Sequence, residues 1–187
     1  MHVPAKHRED GWGSRPEEAR VPWSTPSRWS AVQKAFQISM QGRSLVQARA
    51  HAAAIAHHLD CLAGLFDQVA PATCAICPDP CCRHAKIWLN FQDLLFIHLH
   101  GEPVPLNQLR QNWHDPCRCL GAGGCLLPRR SRPWICAWYI CPFQRWSIER
   151  DIPGGWAQAD GLRSRVKSRR DAMEAAYLDA LGVGSIT

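Results

Sequence analysis

The stretch LVQARAHAAAIAHHLDCLAGLFDQV, residues 45–69, decides the architecture. Leu45, Ala48, Ala52, Ile55, Leu59, Leu62, Phe66 and Val69 recur three and four apart, which sets them on one face of an α-helix of about seven turns. Ser44 stands at the expected N-cap, and Pro71 ends the segment because it lacks an amide and constrains the residue before it. His51, His57, His58 and Cys61 share this helix, but they flank the apolar seam and form no i, i+4 pair around a carboxylate. They therefore read as helix-surface and boundary residues, with Cys61 a small apolar filler.

Two further helices follow downstream. Asn90 with Asp93 three positions later has the form of a reciprocal cap, Leu94, Leu95, Ile97 and Leu99 supply an apolar face, and Gly101 before Pro103 stops the run. Ile87-Trp88-Leu89 reads as a short strand or as the entry to this helix. The third helix is expected over Ala157 to Leu181, with Leu162, Val166, Met173, Tyr177 and Leu181 inward. Arg163, Arg165, Lys167, Arg169 and Arg170 are expected mostly outward as a solvated face. Residues 1–27 hold Pro and charged residues without apolar period and read as a flexible or loosely docked arm, with Trp12 and Trp23 as local anchors.

The 187 residues suit one compact domain, and 46% hydrophobic with 20% charged residues is ordinary globular composition. The sequence shows no apolar run near the roughly 20 residues a bilayer span requires, and its start carries no secretory pattern, so a cytoplasmic protein is expected. Net charge is +6 and is spread along the chain, which argues weakly for nucleic acid. GxxxxGK[ST], GxGxxG and GxSxG motifs are absent. The outstanding feature is ten Cys in a chain assigned to a reducing compartment, where metal thiolates persist and disulfides seldom do.

Nine of those Cys fall within 74–141, in two packets either side of the Asn90 helix. CAICPDPCC contains Cys74, Cys77, Cys81 and Cys82; its C-x-x-C gap lets a tight turn aim two sulfurs at one metal, and Pro78 and Pro80 stiffen the continuation. The second packet, CRCLGAGGCLLPRRSRPWICAWYIC, contains Cys117, Cys119, Cys125, Cys136 and Cys141, with Gly121, Gly123 and Gly124 permitting close backbone approach. Neighbouring Cys81 and Cys82 point to opposite faces in an extended segment, so either the packet serves two centres or one of the two is not a ligand. Two four-thiolate centres and one centre with reserve thiols are both compatible. Arg129, Arg130 and Arg132 lie where their charge could compensate an anionic centre. Four cysteines suit zinc or an iron–sulfur cluster, and the irregular spacing differs from the paired C-x2-C of zinc ribbons, which favours iron.

In these residues the chain resembles the CxxCxxCC cysteine-cluster proteins, a family of zinc- or iron-chelating domains that includes flagellin lysine N-methylases. Cys74, Cys77, Cys81 and Cys82 correspond to the signature, followed by the helix start at Asn90 to Leu95. Cys117 or Cys119 comes next, then Cys125 after the Gly-rich turn, then Arg132-Pro133-Trp134-Ile135-Cys136. Three residues separate Cys77 from Cys81 where the family has two, and Cys119 and Cys141 are additional. The resemblance implies a metal-binding domain carrying an iron–sulfur cluster, of the 4Fe-4S type, in one or two copies, or zinc.

The expected fold is mainly α, three or four helices with long Cys-rich loops organised around one or two metal centres. Its parts are the arm 1–27, a helical segment 28–73, the cysteine region 74–141 and a helical segment 142–187. The expected ligands are Cys74, Cys77, Cys81, Cys82, Cys117, Cys125, Cys136 and Cys141. The expected role is redox or maturation accessory work beside a protein partner. A zinc-stabilised interaction module and a protein-modifying enzyme of the methylase branch are the alternatives. Asp93, Glu102, Asp115, His84, His100 and His114 lie near the packets and read as caps, turn residues or solvated side chains, so no catalytic role is assigned. Trp88, Trp113, Trp134 and Trp138 are expected to jacket the centre against water.

Overall fold

The computed structural model describes residues 21–122 and 124–183, and of Cys82 the backbone alone. Residues 1–20 of the expected arm lie outside the described residues. The part that is described is docked: Val21 is buried, and the Pro22 carbonyl accepts from Gln108 Nε2 at 3.2 Å.

The chain is mainly helical, with α1 (Pro26–Met40), α2 (Val46–Val69), α3 (Phe91–His100), α4 (Trp134–Trp138), α5 (Pro142–Asp151) and α6 (Gly155–Ala180). Six helices among the described residues exceed the expected three or four, because α1, α4 and α5 were not separately legible. A two-residue ladder, β1 (Leu120–Gly121) with β2 (Gly124–Cys125), runs antiparallel.

Local chemistry accounts for the boundaries. Thr25 caps α1 by accepting from the Arg28 amide at 3.4 Å, with Pro26 in the first turn, where its missing N–H costs nothing. The N-cap of α2 is Leu45, without a side-chain cap, so the role expected of Ser44 is not realised. The periodic face is realised: every residue of the expected seam is buried except Leu59, which is half-buried. Helix α3 begins on the full reciprocal cap of Asn90 and Asp93 and ends at Gly101, whose φ of 80° is the left-handed geometry that glycine adopts without a Cβ clash. Ile87–Leu89 belongs to no regular element. The buried Gln108 side chain instead takes the place of a strand partner, its Oε1 accepting from the Leu89 amide (2.8 Å) and its Nε2 donating to the Leu89 carbonyl (3.0 Å).

Helices α2 and α6 form the spine. Ala48, Ala52 and Ile55 share a core with Val166, Met173 and Tyr177, while Leu62, Phe66 and Val69 share a second with Ala159 and Leu162. The early part of α2 thus meets the late part of α6, an antiparallel pair. Helix α3 is sunk in the first core, with Leu94, Leu95 and Ile97 almost wholly excluded from water. Helix α1 closes that core from outside, through Phe36 on Phe91 (5.4 Å between ring centroids) and Ser39 Oγ to the Tyr177 hydroxyl (2.6 Å). Among the described residues no helix is long and apolar enough to cross a membrane.

Arg170 departs from the expected outward basic face: it is buried and pairs with Asp93 at 2.9 Å. Asp93 also accepts from the Asn90 amide (3.0 Å) and the Trp134 amide (3.0 Å), so one carboxylate joins the starts of α3 and α4 to the middle of α6.

Candidate metal centre

The second cysteine packet is gathered by its own backbone. The Arg118 amide donates to the Leu109 carbonyl (2.9 Å), the Leu120 amide to Cys117 (3.1 Å) and the Leu126 amide to Cys119 (2.8 Å). Leu120 stands opposite Cys125 in the ladder, which brings Cys119 and Cys125 close together on its two strands. Gly124 has a φ of 111°, a geometry that favours glycine in this turn.

Cys136 arrives separately, on α4. That helix is short, and its first amide, Trp134 N–H, would be an orphan donor but for the Asp93 carboxylate. The four thiols sense one another. The Cys119 thiol donates to Cys117, which together with the Cys119 amide and the charge of Arg110 holds Cys117 down at about 6, in the thiolate range at neutral pH. Cys119 is pushed up, first by that hydrogen bond, then by burial and the negative charge of Cys117, Cys125 and Cys136.

Arg110 is the second notable group. It is 1% exposed and donates to the Ala85 carbonyl, in the turn that follows the first packet. The Leu109–Arg118 hydrogen bond sets it beside Cys117. One buried guanidinium thus touches the margins of both packets, and a cation so far from water needs negative charge around it.

The first packet is more open: Cys74, Cys77 and Cys81 are exposed. The Cys77 amide donates to the Cys74 carbonyl at 3.3 Å, the tight turn expected of the C-x-x-C. Cys81 and Cys141 lie near Tyr139, whose hydroxyl is pushed up by burial and then by the charges of these two thiols. Cys141 Sγ also accepts from the Gln144 amide at 3.4 Å and caps α5. Electrostatically, Cys117, Cys125 and Cys136 act on Cys119, whereas Cys81 and Cys141 each act on Tyr139. Among the described residues no three His, Cys, Asp or Glu side chains stand as a group able to hold a metal ion. The residue types nonetheless suit a soft metal, and the Cys117 thiol is ionised near neutral pH.

No family model, curated protein or solved structure matches this chain. The site is read from its own chemistry.

Several expected roles fall elsewhere. Arg129 pairs with Asp67, and Arg130 with Asp60 (Nε at 3.0 Å) and Glu102 (3.4 Å), so these two arginines bind the loop to α2 and do not compensate thiolates. Arg132 is nearer to that role, donating to the Leu127 carbonyl (3.1 Å) and the Cys125 carbonyl (3.5 Å). His100 pairs with Glu102 (2.7 Å) and His84 with Asp79 (2.6 Å). On α2, Cys61 lies 3.9 Å from His57, and His51 meets Arg169 at 3.2 Å. The tryptophans pair as Trp88–Trp113 (5.7 Å) and Trp134–Trp138 (6.4 Å). Sequence reasoning missed Arg110 as a buried cation and left Cys119 outside the ligand set. Only the C-x-C spacing of Cys117 and Cys119 could have signalled the latter, and nothing in Asn107-Gln108-Leu109-Arg110 marks the former.

Proposed function

We propose that this chain is a cytoplasmic metal–thiolate protein carrying an iron–sulfur centre, with an accessory role in electron transfer or in maturation of a protein partner. The observation that carries this reading is that Cys119 feels the charges of Cys117, Cys125 and Cys136, with the buried guanidinium of Arg110 acting on Cys117. A 4Fe-4S cluster with four thiolates is anionic in its usual states, and a buried cation offsets that charge where water cannot. Cys117, Cys119, Cys125 and Cys136 would hold the centre, and Cys74, Cys77, Cys81, Cys82 and Cys141 are the donors for a second. When bound, such a cluster accepts and releases single electrons. The chain's own part is to fix α4 through Asp93 and to supply the positive charge of Arg110.

The test is anaerobic purification with iron, zinc and acid-labile sulfide analysis and a visible spectrum, on the wild type, Cys136→Ser and Cys61→Ser. Iron with matching sulfide and a band near about 400 nm, lost in Cys136→Ser and kept in Cys61→Ser, is expected. Stoichiometric zinc without sulfide overturns the redox reading in favour of a metal-stapled interaction module. Absence of both metals overturns the metal reading altogether.

A further inference from the structure

A cleft of about 500 Å³ opens between α6 and the indole-bearing side of α4, within the roughly 300–1,000 Å³ range of small-molecule sites. Trp88, Trp134 and Trp138 form its apolar wall. The charges around it sort themselves by partner. At its floor Asp93 and Arg170 neutralise each other at 2.9 Å. Asp160 is engaged by Arg163 at 3.5 Å, and Asp171 accepts from Gln92 Nε2 at 3.3 Å. Lys167, exposed on α6 one turn beyond Arg163, is the lining cation left without a partner among the described residues. Arg163 itself lies 4.7 Å above the Trp138 ring, so cationic groups and an indole plane border the same space.

An unspent cation beside flat apolar walls is complementary to a flat anion. The ring of such a ligand stacks on indole, and its acidic group meets Lys167. We propose that this cleft is a binding site for a mononucleotide-sized ligand, an aromatic ring bearing a phosphate. It stands independently of the metal reading, although α4 connects the two: Trp134 and Trp138 line the cleft, and Cys136 lies between them in the chain.

The test is binding of AMP, GMP, flavin mononucleotide and pyridoxal phosphate to the full chain, by calorimetry and tryptophan fluorescence, beside adenosine, guanosine, riboflavin and pyridoxal. At least one phosphate is expected to bind below about 1 mM. Its dephosphorylated counterpart and the Lys167→Ala variant should each weaken that affinity about tenfold or more. Lys167 is exposed, so the variant folds; Trp138→Leu, checked for an unchanged melting temperature, should weaken stacking in the same way. No binding by any of the four, equal affinity for the dephosphorylated form, or full affinity in Lys167→Ala each overturns the proposal.

Discussion

Replacing Arg170 with Met leaves the Asp93 carboxylate charged, 2% exposed and deprived of its counter-ion, with only the amides of Asn90 and Trp134 still donating to it. Removing one member of a buried pair costs about 3–5 kcal/mol, because the survivor keeps its desolvation penalty without the compensating charge. Asp93→Asn is as costly for a different reason. It strands Arg170, whose remaining contact is the Asn90 Oδ1 at 3.4 Å, and it offers one acceptor oxygen where two amides and a guanidinium need partners. Both single variants should therefore lose about 3–5 kcal/mol, a large share of the roughly 5–15 kcal/mol that holds a domain together. The double variant Asp93→Asn/Arg170→Met removes both charges at once and retains only the amide mismatch, about 1–3 kcal/mol. Equilibrium urea unfolding of the four proteins, with the midpoint compared at constant m, gives the coupling energy. A coupling of at least about 2 kcal/mol, with the double variant more stable than either single, is expected. Additive losses would refute the claim that this pair is what joins α3, α4 and α6.

Two further predictions concern titration. In the reduced, metal-free protein Cys117 should be alkylated by iodoacetamide with a half-maximal rate near pH 6 rather than in the ordinary thiol range, and Cys119→Ala should move that midpoint upward by removing the hydrogen bond to the thiolate; an unchanged profile contradicts the pairing. Burial lowers the His98 pKa below its ordinary value of 6.5, so below about that pH the unfolded chain binds a proton that the folded chain refuses. Stability should then fall as pH drops from 7 toward 5 and be insensitive to this group above about pH 7.5, with His98→Gln flattening the decline in thermal or urea unfolding; an equally steep decline in His98→Gln removes His98 as its cause.

Helices α2, α3 and α6 were legible within a few residues because each carries its own periodic face and, for α3, its own punctuation in Asn90, Asp93 and Gly101. Helices α4 and α5 were not, for their starts depend on remote or unusual partners: the Trp134 amide is satisfied by a carboxylate on α3, and α5 is capped by a cysteine sulfur. The α1 start, with Thr25 before Pro26, was a readable cap that its faint apolar pattern concealed. The two cysteine packets were plain in spacing, and their grouping was not. Spacing left Cys119 aside, whereas the fold sets it within the electrostatic reach of Cys117, Cys125 and Cys136.

By itself the sequence determined the helical class, the antiparallel partners' inward faces and the concentration of thiols between residues 74 and 141, because periodicity, capping and composition are local properties of the chain. Which charges are buried was decided only by the tertiary structure. Arg170 looks like its basic neighbours on α6, and Arg110 like any loop arginine, until α3 and the second cysteine packet close over them. Arg129 and Arg130, placed by sequence beside the thiols, turn instead to Asp67 and Asp60 on α2. Pairing of charges depends on which surfaces meet in space, and that information is not carried by any short stretch of residues.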